Sequence, residues 1–162
     1  MIEENGTKKV VLIAEDDDDH FLLTKDAFAE INSSIELHWV KDGVELLDYL
    51  LSRGPYAAPG KSPRPWLILL DLNMPRKDGR QALQEIKAHP GLRPIPLVVL
   101  TTSRNEEDVQ LAYSLGGSFI RKPVRLEQIV DVIRSLSRYW LETVEQPAFI
   151  AREQISLPPK SS

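Results

Sequence analysis

An α/β fold with parallel strands is what this sequence predicts, and three observations carry it. Five short apolar runs are each bounded by turn or cap residues. Amphipathic stretches of helical length separate them. Three of the runs, VVLIA at 10–14, WLILL at 66–70 and PLVVL at 96–100, are apolar throughout, as central strands covered on both faces are.

The elements follow in order. The first strand, 10–14, runs directly into Glu15-Asp16-Asp17-Asp18-Asp19-His20, and a helix over 19–31 follows. The second strand, 35–40, alternates as Ile35-Glu36-Leu37-His38-Trp39, the pattern of an edge strand. A helix over 43–53 leads to 54–65, GPYAAPGKSPRP, whose four prolines predict a long surface loop. The third strand is 66–70, with a helix at 80–89; the fourth is 96–100, with a helix at 106–115; the fifth is 118–121. A last helix begins near 125, where Leu126, Ile129, Val130, Ile133, Leu136 and Trp140 keep the i, i+3, i+4, i+7 spacing of one apolar face. The segment 147–162, ending LPPKSS, reads as a frayed tail.

Composition bounds the function. With 162 residues, 42% hydrophobic and 27% charged, the chain fits one globular domain with a full core. A net charge of -4 argues against a general nucleic-acid or anionic-membrane binder, and is compatible with a bound cation. The absence of cysteine excludes disulfides, thiolate metal sites and cysteine nucleophiles. No run approaches the roughly 18 apolar residues of a membrane span, and MIEENGTKK lacks a secretory apolar core, so a cytoplasmic location is expected.

In an open parallel sheet, ligands bind beyond the carboxyl ends of the strands. There the sequence sets Glu15, Asp16 and Asp17 after the first strand, Asp71 in LLDLNMPRKDG after the third, Thr101 and Thr102 after the fourth, and Lys122-Pro123 after the fifth. Carboxylates crowded into one cleft raise one another's pKa unless a cation joins them. Oxygen donors without cysteine or clustered histidine select a hard ion such as Mg²⁺. A vacant coordination position suits a phosphoryl oxygen, with Lys122 and a threonine hydroxyl as further donors. Asp71 is then the nucleophile.

These residues resemble the receiver domain of two-component response regulators: an acidic pair after strand one, the aspartate of LLDLNMPRKDG, a threonine after strand four and Lys-Pro after strand five. The likeness covers a receiver at 8–139 and leaves 140–162 as an extension. It implies a doubly wound, flavodoxin-like sheet of order 2-1-3-4-5 flanked by five helices. It also implies that a histidine kinase or a small acyl phosphate phosphorylates Asp71. Mg²⁺ would be bound by Asp16, Asp71 and the backbone carbonyl of Asn73, with Glu15 acting through water. On this register Asp17 only supports the acidic pair, and Asp18 or Asp19 caps the first helix. The family further implies a cis Lys122-Pro123 bond, hydrolysis tuned at Asn73 and Ser103, and a switch in which Phe119 turns inward as Thr101 moves toward the phosphoryl group. Phenylalanine replaces the family's frequent tyrosine at 119, so a signal needing a phenolic hydroxyl is not expected.

Other readings compete. Thr102 rivals Thr101 as the hydroxyl donor, and Phe119 also reads as an ordinary core aromatic. His20, His38 and His89 read as structural or solvent residues. A haloacid dehalogenase-like phosphatase uses similar groups but needs an acid where Asn73 stands. A pseudo-receiver that binds without phosphorylation would have lost one of the members present here. The phospho-accepting signalling protein, not an enzyme, is the reading that remains.

Only about 23 residues follow Tyr139, too few for a helix-turn-helix output domain. Trp140, Leu141 and Val144 continue the apolar stripe past what one core is expected to need, which suggests an interface. Together with the insertion at 54–65, YWLETVEQP resembles the single-domain regulators that partner bacterial and cyanobacterial phytochromes. Those form homodimers, so a homodimer through the last helix and its extension is expected.

Overall fold

The computed structural model describes residues 8–31 and 34–147. Five strands, β1 (Lys9–Ala14), β2 (Ile35–Val40), β3 (Leu67–Leu70), β4 (Leu97–Thr101) and β5 (Ser118–Arg121), form one parallel sheet in the order β2-β1-β3-β4-β5. Five α-helices connect and follow them: α1 (Asp18–Ile31), α2 (Gly43–Leu50), α3 (Gly79–Ala88), α4 (Glu106–Ser114) and α5 (Ile129–Ser137). The doubly wound α/β expectation, with β2 at one edge, holds.

Strand side chains alternate between two cores because successive residues point to opposite faces. Leu12, Ile68, Leu70 and Val99 pack with α2, α3 and Ala112 of α4. Val11, Ile13, Leu67, Leu69, Val98 and Leu100 pack with Phe21 and Phe28 of α1 and Ile129, Ile133 and Leu136 of α5. Cover on both faces is why the central strands carry no polar alternation.

The last helix departs from expectation. A 3-10 turn, Leu126–Gln128, precedes α5, and a π-helical stretch, Arg138–Thr143, follows it. The wider turn redirects the chain so that Leu141 enters the α1/α5 core at 3% exposure, with Trp140 packed at its edge. Trp66 Nε1 donates to the Trp140 carbonyl at 3.0 Å, Gln146 Nε2 donates to the Trp66 carbonyl at 3.3 Å, and Lys9 donates to the Leu141 carbonyl. The expectation that these residues are surplus to one core is therefore corrected: at least Leu141 is part of it. In the insertion a single 3-10 turn, Gly54–Tyr56, breaks the loop, and Tyr49 donates its hydroxyl to the Pro63 carbonyl at 2.7 Å. Of the tail expected to fray, 148–162 lies outside the described residues.

Candidate functional site

The carboxyl ends of β1, β3, β4 and β5 bring together Glu15, Asp71, Thr101 and Lys122, and all four are buried. Asp71 follows β3 directly, its amide donating to the Ala14 carbonyl at 3.0 Å. The loop after it is held closely. A Cβ on Gly79 would stand 2.4 Å from the Asp71 carbonyl oxygen, so only glycine lets α3 begin there. Gly43 donates to the Lys77 carbonyl at 2.9 Å, and Arg76, with φ 64°, sends both Nε and Nη2 to Asp42 at 2.9 and 3.1 Å.

The two oxygens of Asp71 have separate donors. Thr101 Oγ1 donates to Oδ1 at 2.7 Å, and Lys122 Nζ donates to Oδ2 at 3.0 Å. Thr102, the rival hydroxyl, is exposed. Lys122 also donates to Glu15 Oε1 at 2.5 Å and meets His20 Nδ1 at 2.7 Å. An ammonium has only protons to give, so Nδ1 is the accepting nitrogen, and the three partners use all three protons. Burial pushes the Glu15 carboxyl up to about 7, and the Asp71 charge adds to this against the opposing pull of Lys122.

The acid run separates into distinct parts. Glu15 is buried, while Asp16, Asp17, Asp18 and Asp19 are exposed. The helix starts one residue earlier than expected, at Asp18, so the cap falls to Asp17: its Oδ1 accepts from the His20 amide at 3.1 Å. Asp18 and Asp19 occupy the first turn, where they complement the helix dipole without capping. Asp16, expected as a direct metal ligand, sits in the exposed turn after β1. Donor atoms of Glu15, His20 and Asp71 lie within 4.8 Å of one another, a set able to hold a cation. His20 is the member the sequence did not reveal, since its first-turn position brings it to Lys122 only through the fold. Asn73 is exposed, and its amide donates to Asp71 Oδ1 at 3.2 Å.

Phe119 is half-buried on β5 against the α2/α3/α4 core, with the Arg121 guanidinium 5.8 Å from its ring centre. The expected cis bond is not found. Lys122–Pro123 is trans, the form an X–Pro bond prefers by about 0.5–1 kcal/mol, and Lys122 reaches its partners from it.

A parallel sheet covered on both faces, with an aspartate at its carboxyl edge and a hydroxyl and an ammonium on that aspartate's two oxygens, defines a doubly wound α/β domain with a polar site at its strand ends. The chain belongs to the response regulator receiver domain family, whose model matches residues 11–134. Response regulator Rcp1 of Synechocystis sp. is 40% identical over 149 residues, 91% of this chain and 99% of the relative. The phosphorylated cyanobacterial phytochrome response regulator RcpA is 39% identical with a TM-score of 0.81, over 87% of this chain and 99% of that one. The Mn²⁺-bound form of Rcp1 is 41% identical with a TM-score of 0.80, over 86% and 99%. The protein is thus a receiver of two-component signalling, similar to phytochrome response regulators, and its family is not that of the phosphatase. Divalent metal belongs with this site: Glu15 and Asp71 supply hard oxygen donors that lie, with His20, within 4.8 Å of one another. Among the described residues, no helix is long and apolar enough to cross a membrane.

Proposed function

We propose that this protein takes a phosphoryl group from a histidine kinase onto Asp71 and changes surface in response. The observation that supports this best is the pair of donors, Thr101 Oγ1 and Lys122 Nζ, each on a different oxygen of one buried carboxylate. Donors fixed in that way stabilise charge spread over a transferring group. In the step, an Asp71 oxygen forms a bond to phosphorus as the N–P bond of phosphohistidine breaks. The imidazole nitrogen keeps the electron pair and takes up a proton from solvent. Lys122 then follows the new charge outward and Thr101 turns its hydroxyl to a phosphoryl oxygen, opening space behind it for Phe119.

Asp16, Asp71 and the Asn73 carbonyl would hold Mg²⁺, with Glu15 beside them. The ion, when bound, offsets the carboxylates against the incoming phosphoryl oxygens. The protein acts as a phospho-accepting switch, not an enzyme on an external substrate, though its own residues assist phosphorylation and dephosphorylation. Its likeness to RcpA supports a phytochrome-type kinase as the partner. We place the receiver at 8–139, with 140–162 as an extension whose Leu141 packs back into the receiver core, and the protein in the cytoplasm. A homodimer through the last helix and its extension remains part of the proposal, with outward residues such as Tyr139, 52% exposed, as its contacts.

Intact-mass measurement after acetyl phosphate and Mg²⁺ tests the reading. Wild type should gain one acid-labile phosphoryl group. Asp71→Asn, nearly isosteric but a poor nucleophile, should gain none and keep its fold. Equal phosphorylation of the two would overturn the assignment.

A further inference from the structure

Asp108 lies in the first turn of α4, yet it is only 4% exposed, unlike its neighbours Glu106 and Glu107. A carboxylate that buried is stable only when paired and hydrogen-bonded. Its partners are specific. Arg80 Nε donates to Oδ1 and Arg80 Nη2 to Oδ2, both at 2.7 Å, and Ser103 Oγ donates to Oδ2 at 2.6 Å. The planar fork of arginine matches a carboxylate in this way, which a lysine cannot do.

The bonds continue to the acceptor. Ser103 donates its amide to Thr101 Oγ1 at 3.3 Å, and that oxygen donates to Asp71 Oδ1 at 2.7 Å. Arg80, one residue past the glycine that lies against the Asp71 backbone, is thus tied through Asp108, Ser103 and Thr101 back to the Asp71 side chain. Asn105 donates its amide to Ser103 Oγ at 3.2 Å, and its own side chain caps α4 by accepting from Glu107 at 3.0 Å. The turn between β4 and α4 is closed at both ends.

We propose that Arg80 and Asp108 are positioning residues for phosphoryl chemistry, holding Ser103 and Thr101 in the arrangement that suits the unmodified Asp71 carboxylate. The proposal rests on Asp71 being the phosphoryl acceptor. A phosphoryl group places its oxygens one P–O bond beyond the carboxylate. To bond to one of them, Thr101 Oγ1 must leave Asp71 Oδ1, and the Ser103 amide bonded to it must follow or let go. The Ser103 side chain is anchored to Asp108, which is anchored to α3. The clamp therefore favours one state over the other, the differential contact that any two-state shift requires. Loosening it lowers the cost of the phosphorylated arrangement.

Beryllofluoride, a phosphoryl analogue that binds without a covalent transfer, gives an equilibrium readout. Its affinity is measured with Mg²⁺ on wild type, Arg80→Lys, Ser103→Ala and the double variant, below each protein's melting transition. Arg80→Lys keeps the positive charge and loses the fork, so electrostatic attraction of the anion is retained. Each single variant should bind about three- to tenfold more tightly, the size of one ordinary intramolecular hydrogen bond, since only part of the clamp is lost in each. The double variant should bind no more tightly than the better single one, since both act on one chain. Unchanged or weaker affinity in both singles overturns the clamp, as does simple additivity. If wild type binds no beryllofluoride and takes no phosphoryl group from acetyl phosphate, the parent reading fails, and this one fails with it.

Discussion

At the scale of single residues, the site depends on a few irreplaceable atoms. Gly79 is the sharpest case. An added methyl would sit 2.4 Å from the Asp71 carbonyl oxygen and 2.5 Å from Leu72 Cα, and both neighbours are backbone. Gly79→Ala should therefore destabilise by about 1–3 kcal/mol, the usual cost of overpacking, and should also slow phosphorylation by moving Asp71. Chemical denaturation together with the acetyl phosphate reaction checks both effects. Asp71, Thr101 and Lys122 were legible in the sequence because each directly follows an apolar run, where a parallel sheet places its ligands. The choice of Thr101 over Thr102 came from the family resemblance and not from the apolar pattern, since it depends on which of two adjacent side chains faces inward. Nor was the role of His20, whose bond to Lys122 joins residues 102 apart in the chain. Asp17 was missed as the cap because five consecutive acids leave the helix start undefined to within a residue.

The elements are held together by buried charged contacts at their ends. Asp42 caps α2 by accepting from the Glu45 amide at 2.8 Å and also receives Arg76. Burial works to raise its carboxyl, but Arg76 and the amide outweigh it and hold it below the ordinary range. Arg80, and after it Ser103, hold Asp108 low against the effect of burial. A carboxyl whose folded pKa is depressed contributes stability that is present above its unfolded pKa and lost as pH falls through the folded one. Both contributions should thus be intact at neutral pH and disappear as the pH falls below about 4, near the unperturbed aspartate value. Urea denaturation from pH 7 to pH 2.5 should show the loss, and Asp42→Asn should flatten part of it; an unchanged slope would contradict the assignment. Asp42→Ala should cost about 1–2 kcal/mol at pH 7 through the lost cap. The continuous apolar runs made the strands legible to within a residue or two. The helix ends were less so. Glycine approach, capping and the π-helical stretch after α5 depend on tertiary contacts that no local pattern encodes.

For the whole molecule, the question is whether the last helix and its extension serve the core or a second copy. Periodicity made Trp140, Leu141 and Val144 look like one exposed stripe, because a regular helix was assumed to continue; the wider turn at Arg138–Thr143 rotates Leu141 inward and leaves Tyr139 outward. The two roles therefore fall on different residues and can be separated. Leu141→Ala removes a buried side chain, which typically costs 2–5 kcal/mol, and the melting temperature should fall by roughly 2–4 °C for each kcal/mol in a chain of this size. Tyr139→Asp changes an exposed position and should leave melting nearly unchanged. If the last helix forms a two-fold interface, each copy meets the same patch of the other, and a charge placed at Tyr139 is repeated across it. Sedimentation velocity over a range of concentrations should then show wild type heavier than one 18.4 kDa chain and Tyr139→Asp shifted toward the single chain. Wild type that stays at the mass of one chain throughout would leave the extension with its core role alone.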